Sequence, residues 1–211
     1  MYRERLTITL DSELLSAVDA TVDHSQLRNR SHAIEHALRE GLALHELTTA
    51  IISISGNSTE KLPELTTLLE HLPILSYLVI ATSNDLTAQD AVRSIISLTH
   101  KHAETIPGDF GTGAALLLNK ARLTTPFLYI QLSPKLSLPT SLAAPYIAHR
   151  RGTSLVTHLI RPVSQDSFVQ TGISLFNPEA IEYIPAGLAS LEETTFPALL
   201  KAGKIGTYVT Q

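Results

Sequence analysis

The sequence predicts an α/β protein preceded by a short β-α-α segment, and three observations carry the prediction. Residues 5–10, "RLTITL", alternate polar and apolar as a strand does, and two amphipathic helical stretches follow before residue 48. From residue 50 onward, apolar runs of strand length such as "AIISI" and "YLVIA" alternate with helical stretches. That alternation is the signature of a mostly parallel sheet with helices on both faces. With 44% hydrophobic and 17% charged residues, the chain has the apolar content to fill such a core and is too apolar for a disordered chain.

In the first strand Leu6, Ile8 and Leu10 share one face, and Arg5, Thr7 and Thr9 share the other. Asp11 offers a helix N-cap, and Leu14, Val18 and Val22 then recur at i, i+4 and i+8. "DHSQLRNR" breaks that helix, and Asn29 caps a second one expected over residues 30–47, with Ile34, Ala37, Leu38, Gly41 and Leu42 inward. One strand and two short helices bury too little surface to stand alone. The strand therefore needs a partner, and the same strand of a second chain supplies an antiparallel ribbon and a symmetric dimer. A two-stranded ribbon has the width of the DNA major groove.

The stretch "RLTITLDSELLSAVDATVDHSQLRNRSHAIEHALREGL" resembles a ribbon-helix-helix DNA-binding domain along its length. The resemblance implies that Arg5, Thr7 and Thr9 read base edges and that Asn29, Arg30 and Ser31 grip backbone phosphate. The chemistry agrees, since arginine reads guanine with two hydrogen bonds and a helix N-terminus offers free N–H groups to phosphate. The segment is acidic overall, so affinity would rest on a few arginines on one face. His32 and His36 stand at a chelating i, i+4 spacing, but at that end of the helix a solvated or phosphate-contacting pair is the reading adopted.

Residues 48–211 follow without a Pro/Gly/Ser-rich linker, giving expected domains of 1–47 and 48–211. In order, strands are expected in "TAIISIS", "SYLVIATS", "AETIP", "PFLYIQL", "SLVTHLIRP" and "FVQTGISLFN". Helices are expected in "LPELTTLLEHL", "TAQDAVRSIISLTHKH", "TGAALLLNKARL", "PTSLAAPYIAHRRG" and "SLEETTFPALLKAG", and "KIGTYVTQ" closes the chain.

Four stretches of this body, "AIISISGNSTEKLP", "GDFGTGAALLLNKARL", "PFLYIQLS" and the region from "FVQTGISLFN" to "KIGTYV", resemble in order the sugar-phosphate nucleotidyltransferases. That family implies a Rossmann-like three-layer sandwich with a nucleobase against Gly111, Thr112 and Gly113 and a sugar beside Gly172. The departures concern the chemistry. Only Gly56 remains in the phosphate loop, the triphosphate-binding arginine falls on Glu60, and the metal-binding aspartate falls on Ser133. Hydroxyls and a reversed charge cannot neutralise a triphosphate. The expectation is a pseudoenzyme with no cofactor and no metal, keeping at most a vestigial nucleotide or nucleotide-sugar pocket at Gly56, Gly111, Thr112, Gly113 and Gly172. The competing reading of those glycines is a tight strand–helix turn and close strand contact.

The expected function is a homodimeric transcriptional regulator that binds double-stranded DNA. A scaffold protein dimerised by the ribbon is the alternative, and a residual nucleotidyltransferase the third reading. A net charge of −4 gives no global pull on nucleic acid, and the absence of cysteine excludes disulfides and thiolate metal sites. No apolar run approaches the roughly 18 residues of a membrane span, and "MYRERLTITL" has no signal-peptide core, so a cytoplasmic location is expected.

Overall fold

The computed structural model describes residues 7–22, 27–41, 46–54, 59–70, 72–81, 86–133, 135–164 and 167–210, without the side chains of Arg39 and Thr59. The chain divides into two compact units, Met1–Ala43 and Leu44–Gln211.

In the first unit, helix α1 spans Ser12–Thr21 and helix α2 spans Arg30–Gly41. Both expected caps form. Asp11 Oδ1 accepts the Leu14 N–H at 2.8 Å, and Asn29 Oδ1 accepts the His32 N–H at 3.0 Å. Each satisfies a first-turn donor that the helix itself cannot. Thr7–Leu10 run without a ladder in the single chain, and Ile8 stays 47% exposed. A strand there requires a pairing partner, and none lies beside it among the described residues. The α2 face also differs from expectation. Ala33 is the buried residue and Ile34 is half-buried, whereas Ala37, Leu38 and Gly41 are exposed. Leu42 lies outside the described residues. Leu47, expected at the end of α2, is instead fully buried in the core of the second unit.

The second unit alternates strand and helix: β1 (Thr49–Ile54), α3 (Leu62–Glu70), β2 (Ser76–Ala81), α4 (Leu86–Thr99), β3 (His102–Pro107), α5 (Thr112–Leu118), β4 (Phe127–Leu132), α6 (Ala143–Arg151), β5 (Val156–Ser164), β6 (Ser167–Phe176), α7 (Phe196–Lys201) and β7 (Ile205–Val209). A 3-10 turn at Pro178–Tyr183 and a π turn at Leu191–Thr195 join β6 to α7. Among the described residues the strands form one sheet of order β3-β2-β1-β4-β6-β5-β7. All neighbours are parallel except β4–β6 and β5–β6. The expected mostly parallel α/β sandwich is therefore present.

Both faces of the sheet are buried, which is why its strands read as continuous apolar runs rather than alternating ones. Ala50 and Ile52 of β1 point to one layer with Leu65 and Leu69 of α3, Ala91 and Ile95 of α4, and Tyr146 of α6. Ile51 points to the other, with Ala115 and Leu116 of α5, Ile181 of the 3-10 turn and Leu199 of α7. Phe127 and Phe176 stack in that second layer at 5.2 Å and 20°. Burying each large apolar side chain contributes about 1.5–3 kcal/mol, and an offset aromatic pair adds roughly 0.5–1.5 kcal/mol.

Candidate functional site

At the start of α2 the three residues expected to hold phosphate lie together, and all three are exposed. Asn29 is already the cap of α2, through its side chain and through its carbonyl, which accepts the Ala33 N–H at 3.0 Å. Arg30 is engaged as well. Its Nε donates to Asp19 Oδ1 at 2.5 Å and its Nη2 to Asp19 Oδ2 at 2.6 Å, a two-pronged pair that ties the end of α1 to the start of α2. The hydrogen bond from Arg30 holds the Asp19 carboxyl below its usual range, and the same bond raises the guanidinium. This fork geometry is the one arginine uses on phosphate. Thr7 and Thr9 are exposed. Arg5 lies outside the described residues.

In the second unit β1 has parallel neighbours on both sides, β2 and β4, whose chain connections run in opposite directions along the sheet. A crevice at the carboxyl ends of such strands is where open α/β sheets take ligands. Ser53 and Ile54 end β1 beside Gln131 and Leu132 of β4. Gly56 lies outside the described residues, and Glu60 is exposed in the short turn Thr59–Lys61. Lys61 reaches across, its Nζ donating to the Leu136 carbonyl at 3.1 Å. Ser133 follows β4 half-buried and offers a neutral hydroxyl. No group of three or more His, Asp or Glu side chains is arranged to hold a metal among the described residues. Among the described residues, Ser53, Gln131 and Ser133 at the ends of β1 and β4 offer hydroxyl and amide oxygens rather than the carboxylates a divalent cation prefers.

Gly111, Thr112 and Gly113 open α5, and the structure gives each a packing duty. Gly111 holds φ 95° and ψ 167°, a conformation essentially confined to glycine. A Cβ there would stand 2.5 Å from the Ala189 carbonyl oxygen. That same oxygen accepts the N–H groups of Gly113 at 2.8 Å and Ala114 at 3.1 Å, so these first-turn donors are taken by the chain itself. Gly172, with φ 88°, lets the segment after β4 lie close, since a Cβ would meet the Gln131 oxygen at 3.0 Å and Leu136 Cδ1 at 3.2 Å. Ser137 N–H donates to the Thr171 carbonyl at 2.9 Å beside it.

Around Thr112 lies a polar network that the sequence did not single out. Glu192 of the π turn accepts from Thr112 Oγ1 at 3.3 Å, Ser190 Oγ at 3.0 Å and Tyr129 OH at 3.4 Å. Thr112 Oγ1 also accepts the Leu191 N–H at 3.0 Å. Burial pushes the Tyr129 phenol up, and the Glu192 charge adds to it, while hydrogen bonds with Ser53 and Thr112 oppose it. Strand register places Ile51, Tyr129, Ser174, His158 and Thr207 in one row across five strands. His158 Nδ1 lies 2.8 Å from Ser174 Oγ, and Phe196 meets the imidazole edge-on at 4.6 Å. Burial lowers the His158 pKa, with Glu192 opposing. Serine, histidine and glutamate side chains thus follow one another, but Ser174 and His158 are both buried, which closes them to a substrate. The one sequence signal for this cluster is Ser190, which caps the π turn by accepting the Glu193 N–H at 3.2 Å and so fixes Glu192 in place.

Residues 4–44 match the family model described as ribbon-helix-helix protein, copG family. A comparison with curated protein sequences finds no match. Among solved structures the chain is similar to 4-diphosphocytidyl-2C-methyl-D-erythritol synthase from Anaerococcus prevotii, with a TM-score of 0.53 and 7% identity over 81% of this chain and 90% of that one. It is also similar to glucosyl-3-phosphoglycerate synthase from Mycobacterium tuberculosis, solved with phosphoglyceric acid and again with Mn2+, uridine diphosphate and glucosyl-3-phosphoglycerate. That likeness has a TM-score of 0.53 and 11% identity over 82% of this chain and 72% of that one. At these identities the likeness is one of fold. Residues 4–44 thus match the copG ribbon-helix-helix family, and they precede an α/β unit whose fold is similar to that of these two synthases.

Proposed function

We propose that the protein is a homodimeric, DNA-binding transcriptional regulator whose α/β unit serves as a body for assembly or ligand sensing and does not transfer nucleotides. The match of residues 4–44 to the copG family carries the reading. Two chains pair residues 5–10 into a ribbon that buries Leu6, Ile8 and Leu10 between them and turns Arg5, Thr7 and Thr9 to the major groove. The capped start of α2 sets Asn29, Arg30 and Ser31 against phosphate, with Arg30 exchanging Asp19 for a phosphate oxygen. Two observations support the loss of catalysis. Ser133 supplies no carboxylate at the end of β4, and the Gly113 and Ala114 N–H groups are occupied by Ala189.

Fluorescence anisotropy on duplexes tiling the region upstream of its own gene tests this. Specific binding with a steep salt dependence is expected. Arg5→Ala should cost roughly 1–3 kcal/mol and relax base preference, and Arg30→Ala should weaken all sequences alike. Absence of wild-type binding at low salt refutes the reading. Pyrophosphate release from a nucleoside triphosphate and a sugar 1-phosphate would show that the α/β unit is a working enzyme.

A further inference from the structure

The two edges of the sheet are built differently. At one edge β3 is guarded: Pro107 ends it without an N–H, and Glu104 within it is held by Arg122 and by His102. Charges and proline on an edge strand are the usual devices against pairing with another chain. At the other edge β7 has neither. From Ile205 to Thr210 it contains no charged residue and no proline.

The backbone of β7 shows which groups face outward. The Lys204 carbonyl accepts from Leu155 at 2.8 Å, and the Thr210 N–H donates to the Ile160 carbonyl at 2.8 Å, both inward to β5. Strand periodicity then turns the N–H and C=O groups of Gly206 and Tyr208 inward as well, and those of Ile205, Thr207 and Val209 outward. Thr207 is exposed and Val209 is 50% exposed.

We infer that β7 is an interaction edge that pairs antiparallel with β7 of a second copy of this chain, about a two-fold axis at Thr207. The occupant follows from self-complementarity. Antiparallel pairing about Thr207 sets Ile205 opposite Val209 of the second copy and Thr207 opposite itself, and no charged residue from Ile205 to Thr210 faces its like. A β-branched apolar pair and a threonine pair are favourable cross-strand neighbours. Outward donors and acceptors at three alternate residues match the spacing that an antiparallel partner requires. The pairing does not depend on DNA binding.

The chain has no cysteine, so single cysteines report on each edge without background. In full-length protein without DNA, Thr207→Cys is expected to form a covalent dimer on mild oxidation. A hydrogen-bonded antiparallel pair sets its Cα atoms about 5.5 Å apart, within the range of about 4.4–6.8 Å that a disulfide spans. Thr105→Cys, on the guarded β3 edge, is the control and should remain uncrosslinked. In wild type the Val209 and Thr207 amides should exchange with deuterium slowly. Thr207→Pro, which removes an outward N–H and none of the inward bonds to β5, should leave the circular dichroism unchanged, speed exchange at Val209 and lower the assembly size in sedimentation. Thr207→Cys crosslinking no faster than Thr105→Cys, or wild-type exchange at Val209 at the rate of an open edge, overturns the inference even if the proline variant fails to fold.

Discussion

Individual residues in this chain have environments that decide what substitution does. Gly111 and Gly187 both have φ 95°, but a Cβ at Gly187 would meet nothing within 4 Å, whereas at Gly111 it would strike the Ala189 carbonyl. Gly187→Ala should therefore cost only the backbone strain, about 1–2 kcal/mol. Gly111→Ala should cost more and lower the urea midpoint further, because the Ala189 segment must move. Tyr77 behaves in the opposite sense. Its hydroxyl is buried with no hydrogen-bond partner among the described residues, and burial pushes the phenol up to about 12. Tyr77→Phe removes an unsatisfied polar atom and keeps the ring, so stability should be unchanged or higher by about 1 kcal/mol. A fall of several kcal/mol would reveal a missing partner. Asp19 is a third case. Asp19→Asn frees the Arg30 fork and should tighten DNA binding, and the gain should shrink in an Arg30→Ala background. Equal gains in both backgrounds would mean that Asp19 acts through general charge alone.

At the scale of elements, what the sequence made legible was whatever depends on neighbouring residues. The runs "AIISI", "YLVIA" and "FLYIQL" are strands in the structure because a strand buried on both faces has little room for polar residues. Asp11 and Asn29 cap helices because their side chains serve donors three residues away. What was not legible depends on pairing between distant segments. The entry of β6 between β4 and β5, antiparallel to both, is set by its pairing with β4, whose residues lie more than forty positions earlier in the chain. The cluster of Tyr129, Ser174 and His158 exists only once that register is set. Leu47 falls at the end of the range expected for α2, yet it is buried in the core of the second unit. The Gly-rich turn at Gly111 was legible as a turn, and its contact with Ala189 was not, because the two are far apart in sequence. The π turn offers a direct check. Tyr129→Phe removes one of the donors to Glu192 and should cost about 0.5–1.5 kcal/mol, read as a shift in urea midpoint.

For the molecule as a whole, buried titratable groups bound the pH range of stability. His149, buried with Nδ1 2.8 Å from Thr157 Oγ1, has its pKa lowered by burial to about 4, and burial lowers His158 as well. A depressed histidine is neutral in the fold while the unfolded chain takes up the proton. Stability should therefore be full above about pH 6.5 and decline as the pH falls toward about 4. On the alkaline side burial raises Tyr77 and Tyr146 to about 12. Their contribution is present below about pH 10 and is lost as the pH climbs toward about 12. Urea unfolding across pH should give a plateau between these limits. His149→Gln should flatten the acid limb, and an acid limb unchanged in that variant would assign the loss elsewhere.

The place of β1 in the sheet has a consequence for biosynthesis. Its partner β4 starts only at Phe127, long after β1 ends at Ile54. A ribosome adds about 5–20 residues per second. One flank of this buried apolar strand is therefore uncovered for several seconds on every nascent chain. The N-terminal segment, complete by residue 44, leaves the exit tunnel well before that flank is closed. Neighbouring ribosomes on one message thus hold finished N-termini beside unfinished sheets. Pulse-labelled nascent chains released before residue 127 should be bound by chaperones, and chains released after Val209, with every interior strand flanked on both sides, should not.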